Sequence, residues 1–398
     1  MKRAWLALAL AACAPPDGDC AAADLSRPAV PPSYAVVSTD YTSSAIGLLD
    51  SDGSVITAAW LDSGTARPGI VAALSGDVVL PTSPFAPCTL VVVDRYGTDV
   101  VSMLDPCRDE PVRGQVDVGA AFAANPHDVL RVGDAVWITR YTANLAVDPA
   151  DLTRGDDVAI LDGDRVARRI DLGAIGDEGD VYARPDRMAP IRREGLERVV
   201  VGLARLSADF RQTGSGAVAV VDPVTLEARL HRVEGLSTCG EVDPIGDAVV
   251  VTCQGPAFAD EAMRRAGAGV VAYRLDAAGE LVEVAAWRAA DHPTDAVPTG
   301  PTVPVAEDRW VTVAWGDAGT GATDRVLLLG AEARVLFEAA SFTIGDGVYE
   351  AAHDLLLLPD ADRGVIHRLR ADGTEREPID ATGCHGLPPR EVRRIAFP

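Results

Sequence analysis

The stretch VAILDGDRVARRIDL at 158–172 decides the fold. A short apolar strand ends at Asp162, turns through Gly163-Asp164, and a second strand starts at Arg165. An apolar run this brief, closed by an acidic or glycine turn, marks a β-hairpin, because a helix would repeat its apolar positions every three to four residues over a longer window. The element recurs as IGLLD at 46–50, SMLD at 102–105, VAVVD at 218–222, VAYRLD at 271–276, VLLLG at 326–330 and IHRLR at 366–370. The seven end points lie 55, 57, 60, 54, 54 and 40 residues apart. A strand follows the turn, as in VITAAWL at 55–61 and LVEVAAW at 281–287. Another precedes it: VVLPT at 78–82, VWIT at 136–139, VVVGL at 199–203, VVVTC at 249–253, WVTVAW at 310–315 and LLLLPD at 355–360. A fourth lies further upstream, joined through turns such as Gly76-Asp77, Gly133-Asp134 and Gly246-Asp247.

Four short strands per repeat at this spacing predict an all-β, seven-bladed β-propeller of four-stranded antiparallel blades. Seven repeats over residues 34–398 give roughly 52 residues per blade, within the range of such repeats. The first repeat, from YAVVSTD at 34–40, lacks an inner strand, and PREVRRIAF at 389–397 is one strand left over. Closure of the first blade by the C-terminal strand resolves both and removes the open sheet edges that invite aggregation. Six or eight blades, or a two-domain β-sandwich, are the rival architectures. The repeat resembles the YVTN- and NHL-type propellers of exported bacterial proteins across 34–398, on blade pattern and not on an intact signature string.

Acidic residues outnumber basic ones 59 to 36 over 398 residues, a formal charge of −23. That balance excludes nucleic acid as a partner, since such binding rests on cations that neutralise phosphate. Lys2 is the sole lysine, so phosphate-loop and Schiff-base chemistry have no residue to carry them. Asparagine occurs only at 125 and 144.

Residues 1–13, MKRAWLALALAAC, open with Lys2 and Arg3 and continue with an apolar run too short to span a bilayer. The Leu10-Ala11-Ala12-Cys13 end resembles a bacterial lipoprotein lipobox. The resemblance implies removal of 1–12 as signal peptide and lipidation of Cys13, which anchors a chain without a membrane-spanning segment. Loss of Lys2 and Arg3 takes the charge from −23 to −25. Ala14 follows the cysteine, which favours the outer membrane over inner-membrane retention. Residues 13–33 read as a flexible tether of Pro, Ala and Asp, and 34–398 as the propeller. A monomer at the cell envelope is the expectation.

Six cysteines remain for disulfides, an even number in an exported protein. Cys239 and Cys253 flank the Gly246-Asp247 turn almost symmetrically, and Cys88 and Cys107 flank a turn at Gly97-Thr98. Each pair therefore faces across antiparallel strands, within disulfide reach. By elimination Cys20 joins Cys384, unless the tether cysteine bonds another protein.

Propellers bind ligands where the innermost strands begin. On this phasing one ring collects Pro68-Gly69, Asn125-Pro126-His127-Asp128, Asp186-Arg187, Cys239-Gly240-Glu241, Thr299-Gly300, Asp346-Gly347 and His385-Gly386. Asn125, His127, Asp128, Arg187, Glu241, Asp346 and His385 are the candidate ligand-binding residues, from different blades and of the types that hold a cation, calcium included, or a small polar ligand. His231 and His367 are expected on sheet surfaces. No GxSxG elbow and no HExxH occurs. The sequence therefore favours a non-enzymatic binding or scaffold module for a protein, glycan or small molecule. The alternative is a metal-assisted propeller enzyme, a lactonase, lyase or hydrolase. Metal-dependent lactonase propellers use Glu, Asn and Asp from several inner strands, and two asparagines make that set hard to assemble.

Overall fold

The computed structural model describes residue 23 and residues 25–396, apart from 96, 120–121, 257 and 293–296. Seven four-stranded antiparallel sheets form a ring. The innermost strands of blades 2 to 7 are Val78–Val79, Pro126–Val132, Pro185–Arg193, Glu241–Ile245, Thr302–Ala306 and Val348–Glu350. Blade 1 takes its three outer strands, Tyr34–Thr39, Ser44–Leu49 and Val55–Asp62, from the N-terminal part and its innermost strand, Pro389–Arg394, from the C-terminal part. The register runs Tyr34 to Arg394 and Val36 to Val392, with a shift beyond Val37. The expected closure is what the molecule uses.

All seven motif strands are third strands of their blades. Their side chains alternate between two inter-blade layers, so both faces are apolar. In blade 4, Val218 and Val220 pack with Val249 and Val251, while Ala217, Ala219 and Val221 pack with Val158 and Ile160. A sheet buried on both faces needs such continuous Val, Ile, Leu and Ala runs. Outermost strands are half-exposed and carry charge, as in Arg165–Asp171.

The phasing departs from expectation in blade 2. VVLPT at 78–82 supplies the innermost strand of blade 2, where a second strand was expected; the second strand is Leu90–Asp94. Gly76-Asp77 therefore leads into the channel strand and is not a hairpin. The irregular link at 80–89 hides this from a count of turn residues. Residues 25–33, read as tether, pack on the body: Leu25 is buried beside Trp60, Leu61, Leu80 and Ile395, and the Trp60 indole N–H donates to the Ser26 carbonyl at 2.9 Å. His367 is buried, 3.2 Å from Asp360 and tilted against Phe337, instead of lying on a sheet surface.

Cys88–Cys107 and Cys239–Cys253 are disulfides with Cα separations of 5.7 and 4.0 Å. The lipidation site Cys13, the signal segment 1–12 and the Cys20–Cys384 pairing lie outside what the structure describes. No helix among the described residues is long and apolar enough to cross a membrane. The two disulfides fit an oxidising compartment.

In each up-and-down blade one face of the ring holds the start of the innermost strand and the loop joining strands two and three. Every exposed aromatic among the described residues lies in loops of this mouth face: Tyr41, Phe210, Phe258, Trp315 and Phe342. Hairpins on the far face carry acids such as Asp52, Asp134, Asp164, Asp247 and Asp372.

Cys239 and Cys253 are 14 residues apart and fully buried. Loop closure of that length contributes about 3 kcal/mol. Replacing both by Ala is expected to lower the unfolding free energy by about that amount in urea melts. An unchanged midpoint would show that this bridge does not stabilise the fold.

Candidate functional site

Three innermost strands open with the same three-residue form: Pro126-His127-Asp128, Pro185-Asp186-Arg187 and Pro389-Arg390-Glu391. The proline starts the strand, where a missing N–H is tolerated. The third residue is buried at the channel in each case: Asp128, Arg187 and Glu391. Period-2 alternation then sends Arg393 and, in blade 5, Glu241 and Asp243 to the same side.

These residues build a charged floor. The Arg187 guanidinium lies 3.4 Å from Asp346 and 3.5 Å from Glu391, and donates to the Leu80 carbonyl at 2.9 Å. Arg393 lies 3.2 Å from Glu391 and 3.4 Å from Asp243, and pairs with Asp346. Glu391 also accepts the Leu80 N–H at 2.9 Å. Burial opposes the charge on both arginines, but Glu391, Asp346 and their neighbours outweigh it and keep them cationic. The carboxyls respond in the opposite sense. Burial, opposed by Arg393 and reinforced by Asp346, pushes Asp243 up to about 7. Burial also raises Glu391, against the pull of Arg187 and Arg393. Glu241 is driven well above the usual carboxylate range by burial and by Asp346.

Above this floor opens a cavity of about 290 Å³, lined by residues of six of the seven blades. Arg187, Glu241, Asp346 and Glu391 form its base, and Tyr41, Trp315 and Phe342 its rim. The Arg390 guanidinium lies over the Tyr41 ring, 5.3 Å from the centroid, and donates to the Phe342 carbonyl at 2.8 Å. Trp315 and Phe342 tilt against each other with centroids 5.5 Å apart. Gly300 leaves space for the indole: a Cβ there would come within 2.8 Å of the Trp315 ring nitrogen. Thr299 Oγ1 accepts the backbone N–H of Trp315 at 2.8 Å.

Of the sequence candidates, Arg187, Glu241 and Asp346 meet in this cavity. Asp128 sits beside them but works as a bracket: its carboxylate accepts N–H groups from Thr82, Val129 and Met188 at 3.0, 2.8 and 2.8 Å, joining blades 2, 3 and 4. His127 flanks the mouth, stacked on Tyr141 at 4.3 Å, with Nδ1 2.7 Å from Asp186. Burial pushes His127 down, so the imidazole is neutral at pH 7 and Nδ1–H donates. Burial opposes the Asp186 charge, but the His127 hydrogen bond with Arg187 and Arg95 outweighs it and holds its pKa below the usual range. Asn125 adopts a left-handed φ of 51° and donates its N–H to Asp99 at 2.7 Å, away from the floor.

His385 is not in the ring. Its Nε2 lies 3.1 Å from the Ala58 carbonyl on the outermost strand of blade 1, and Nδ1 accepts the Leu387 N–H at 3.0 Å. Burial lowers its pKa, so the ring is a neutral link in the crossing from blade 7 to blade 1. Pro68-Gly69 is likewise displaced, with Gly69 against Val112 on the outer strand of blade 2. The channel positions expected for these two pairs belong to residues 389–391 and 76–79. Sequence reading missed Glu391, Arg393, Asp243 and the aromatic rim. The first three carried a signal, the alternation E-x-R in PREVRR and E-x-D in EVD; the rim carried none.

The fold and channel define the class: a seven-bladed β-propeller with a charged channel floor. No family model matches the chain, and no curated protein matches it in sequence. Solved structures match it in fold. A hypothetical selenium-binding protein from Sulfolobus tokodaii superposes with a TM-score of 0.57 at 11% identity, over 94% of this chain and 99% of its own. A Bacteroides fragilis protein assigned as a 6-phosphogluconolactonase gives 0.54 at 11% identity, over 92% and 98%. The periplasmic gluconolactonase of Pseudomonas aeruginosa gives 0.51 at 14% identity, over 92% and 99%. Likeness at this identity is likeness of fold.

The raised Asp243 sets a pH dependence. A carboxyl whose folded pKa exceeds its unfolded value near 3.8 stabilises the fold below 3.8, and that contribution is lost as pH rises through about 7. Between pH 5 and 8 the wild-type melting temperature is expected to fall relative to that of Asp243→Asn. Parallel melting curves across this window would remove Asp243 from the account.

Proposed function

We propose that the chain is an exported, lipid-tethered, non-enzymatic binding module of the bacterial cell envelope that holds a small ligand at the mouth of its channel. The mouth carries this reading: a cavity of about 290 Å³ with convergent polar groups at its base and aromatic side chains at its rim. Concave sites that combine apolar walls with a few placed polar groups are the general form of small-molecule sites. Trp315 supports it separately, being 39% exposed while Trp60, Trp137, Trp287 and Trp310 are each 1% exposed. The address rests on the Lys2-Arg3 start and on Cys13.

The gluconolactonases among the fold neighbours suggest the rival reading, metal-assisted hydrolysis of a lactone. Binding is favoured because the floor carboxylates Asp243, Asp346 and Glu391 are occupied by guanidiniums. Among the described residues no three His, Cys, Asp or Glu side chains converge as a metal-ligand set.

The test has two arms. Expressed in a bacterium fed an alkyne fatty acid, the wild type should be labelled and Cys13→Ser should not; equal labelling would overturn the lipid tether. A thermal-shift screen of small polar compounds should yield ligands that stabilise the wild type and lose about tenfold in affinity in Trp315→Ala/Phe342→Ala, a change of about 1.4 kcal/mol. Glucono-δ-lactone opening above the buffer rate, lost in His127→Ala, would establish the enzyme instead.

A further inference from the structure

Charge at the base of the mouth does not balance. Four carboxyl groups, Glu241, Asp243, Asp346 and Glu391, face two buried guanidiniums, Arg187 and Arg393. Three of the four are matched. Asp243 faces Arg393, Asp346 faces both arginines, and Glu391 faces both and also holds the Leu80 N–H. Arg187 spends its remaining donors on the carbonyls of Leu80 and His127. Glu241 has no hydrogen-bond or ion-pair partner among the described residues, although it lies below the mouth surface and lines the cavity.

A carboxyl group in that position is costly when ionised, because it is partly withdrawn from water without gaining a hydrogen-bond partner. Burial and repulsion from the nearby Asp346, with Asp186 and Asp243, outweigh the pull of Arg187 and raise the Glu241 carboxyl well above its ordinary range. Two changes could relieve the site, and the proton is one. The other is a cation arriving through the mouth.

The rim says what kind of cation. Ring faces attract positive charge through their quadrupole, within about 6 Å of the centroid. The rim already does so once, with the Arg390 guanidinium over Tyr41 at 5.3 Å. Trp315 and Phe342 offer a second aromatic pair, 39% and 53% exposed. A bare metal ion has no use for these rings, and a cavity of about 290 Å³ far exceeds its size. An organic cation has a charged head for Glu241 and carbon groups for the indole and phenyl faces.

We propose that the mouth binds an organic cation, an ammonium or quaternary ammonium group seated between Glu241 and the Trp315–Phe342 pair. This rests on the reading of the mouth as a binding site and names its ligand class. Where Glu241 holds its proton, binding converts the carboxylic acid to carboxylate and the proton leaves to solvent, so charge in the site is conserved.

The experiment is calorimetry on the mature protein with choline and n-butylammonium, against their neutral counterparts 3,3-dimethylbutan-1-ol and butan-1-ol. At least one cation should bind about tenfold more tightly than its counterpart, the change that 1.4 kcal/mol represents. Its heat should vary with the ionisation enthalpy of the buffer, the sign of proton release. Glu241→Gln, isosteric with the protonated side chain, should keep its melting temperature at pH 7 and lose about tenfold in affinity for the cation. Trp315→Ala should lose affinity likewise. Equal binding of neutral and charged partners, a Glu241→Gln variant that binds as well as wild type, or calcium displacing the cation would each overturn the proposal. A mouth that takes neutral or anionic compounds and loses them in Trp315→Ala/Phe342→Ala keeps the binding reading and discards the cation. A mouth that takes nothing discards both.

Discussion

Strand Pro389–Arg394 holds the molecule together. It pairs with Tyr34–Thr39, so the two ends of the chain share one sheet and the ring has no gap. The same six residues bring Arg390 to the rim and Glu391 and Arg393 to the floor. Closure and site are therefore one event. A ring open at this point would lose Arg393, and with it the counter-charge of Asp243 and half that of Asp346.

A second device repeats around the ring, a buried carboxylate that spans two blades by accepting backbone N–H groups. Asp99 holds Asn125, Asp156 holds Arg184, and Asp324 holds Phe342, Thr343 and Ile344. Asp128 and Glu391 do the same nearer the axis. Loops that lead from one blade to the next cannot satisfy their own N–H groups by sheet pairing, and a buried donor left unpaired costs about 1–3 kcal/mol. Acidic side chains meet that need, which gives part of the large acidic excess a structural use. Other acids lie in exposed loops of both faces, Asp52 and Asp164 on the far face and Asp148, Asp209 and Asp260 on the mouth face.

Legibility followed the range of the interaction. The seven-fold repeat was readable because a strand–turn–strand unit is local and its apolar run is dictated by burial on both faces. Both described disulfides were readable because a hairpin places residues by counting from its turn. Blade 2 was misread where local order fails, since Val78–Val79 is a two-residue strand followed by an irregular link. His385 was placed in the ring on blade phase alone, but the crossing from blade 7 to blade 1 takes it to Ala58. Asp128 was offered as a ligand-binding residue of the ring, and its bracket role was invisible because the partners Thr82 and Met188 are 46 and 60 residues away.

By itself, then, the chain determined its strands, its blade count, its closure and two of its bridges, all consequences of apolar period and turn chemistry within about one repeat. Only the tertiary structure decided which charges meet. Glu241, Arg187, Asp346, Glu391 and Arg393 come from four blades, and their pairing depends on the radius of the ring and on where each innermost strand starts. The aromatic rim was decided there too. Tyr41, Trp315 and Phe342 occupy loops with no shared pattern, and only the closed ring sets them around one mouth.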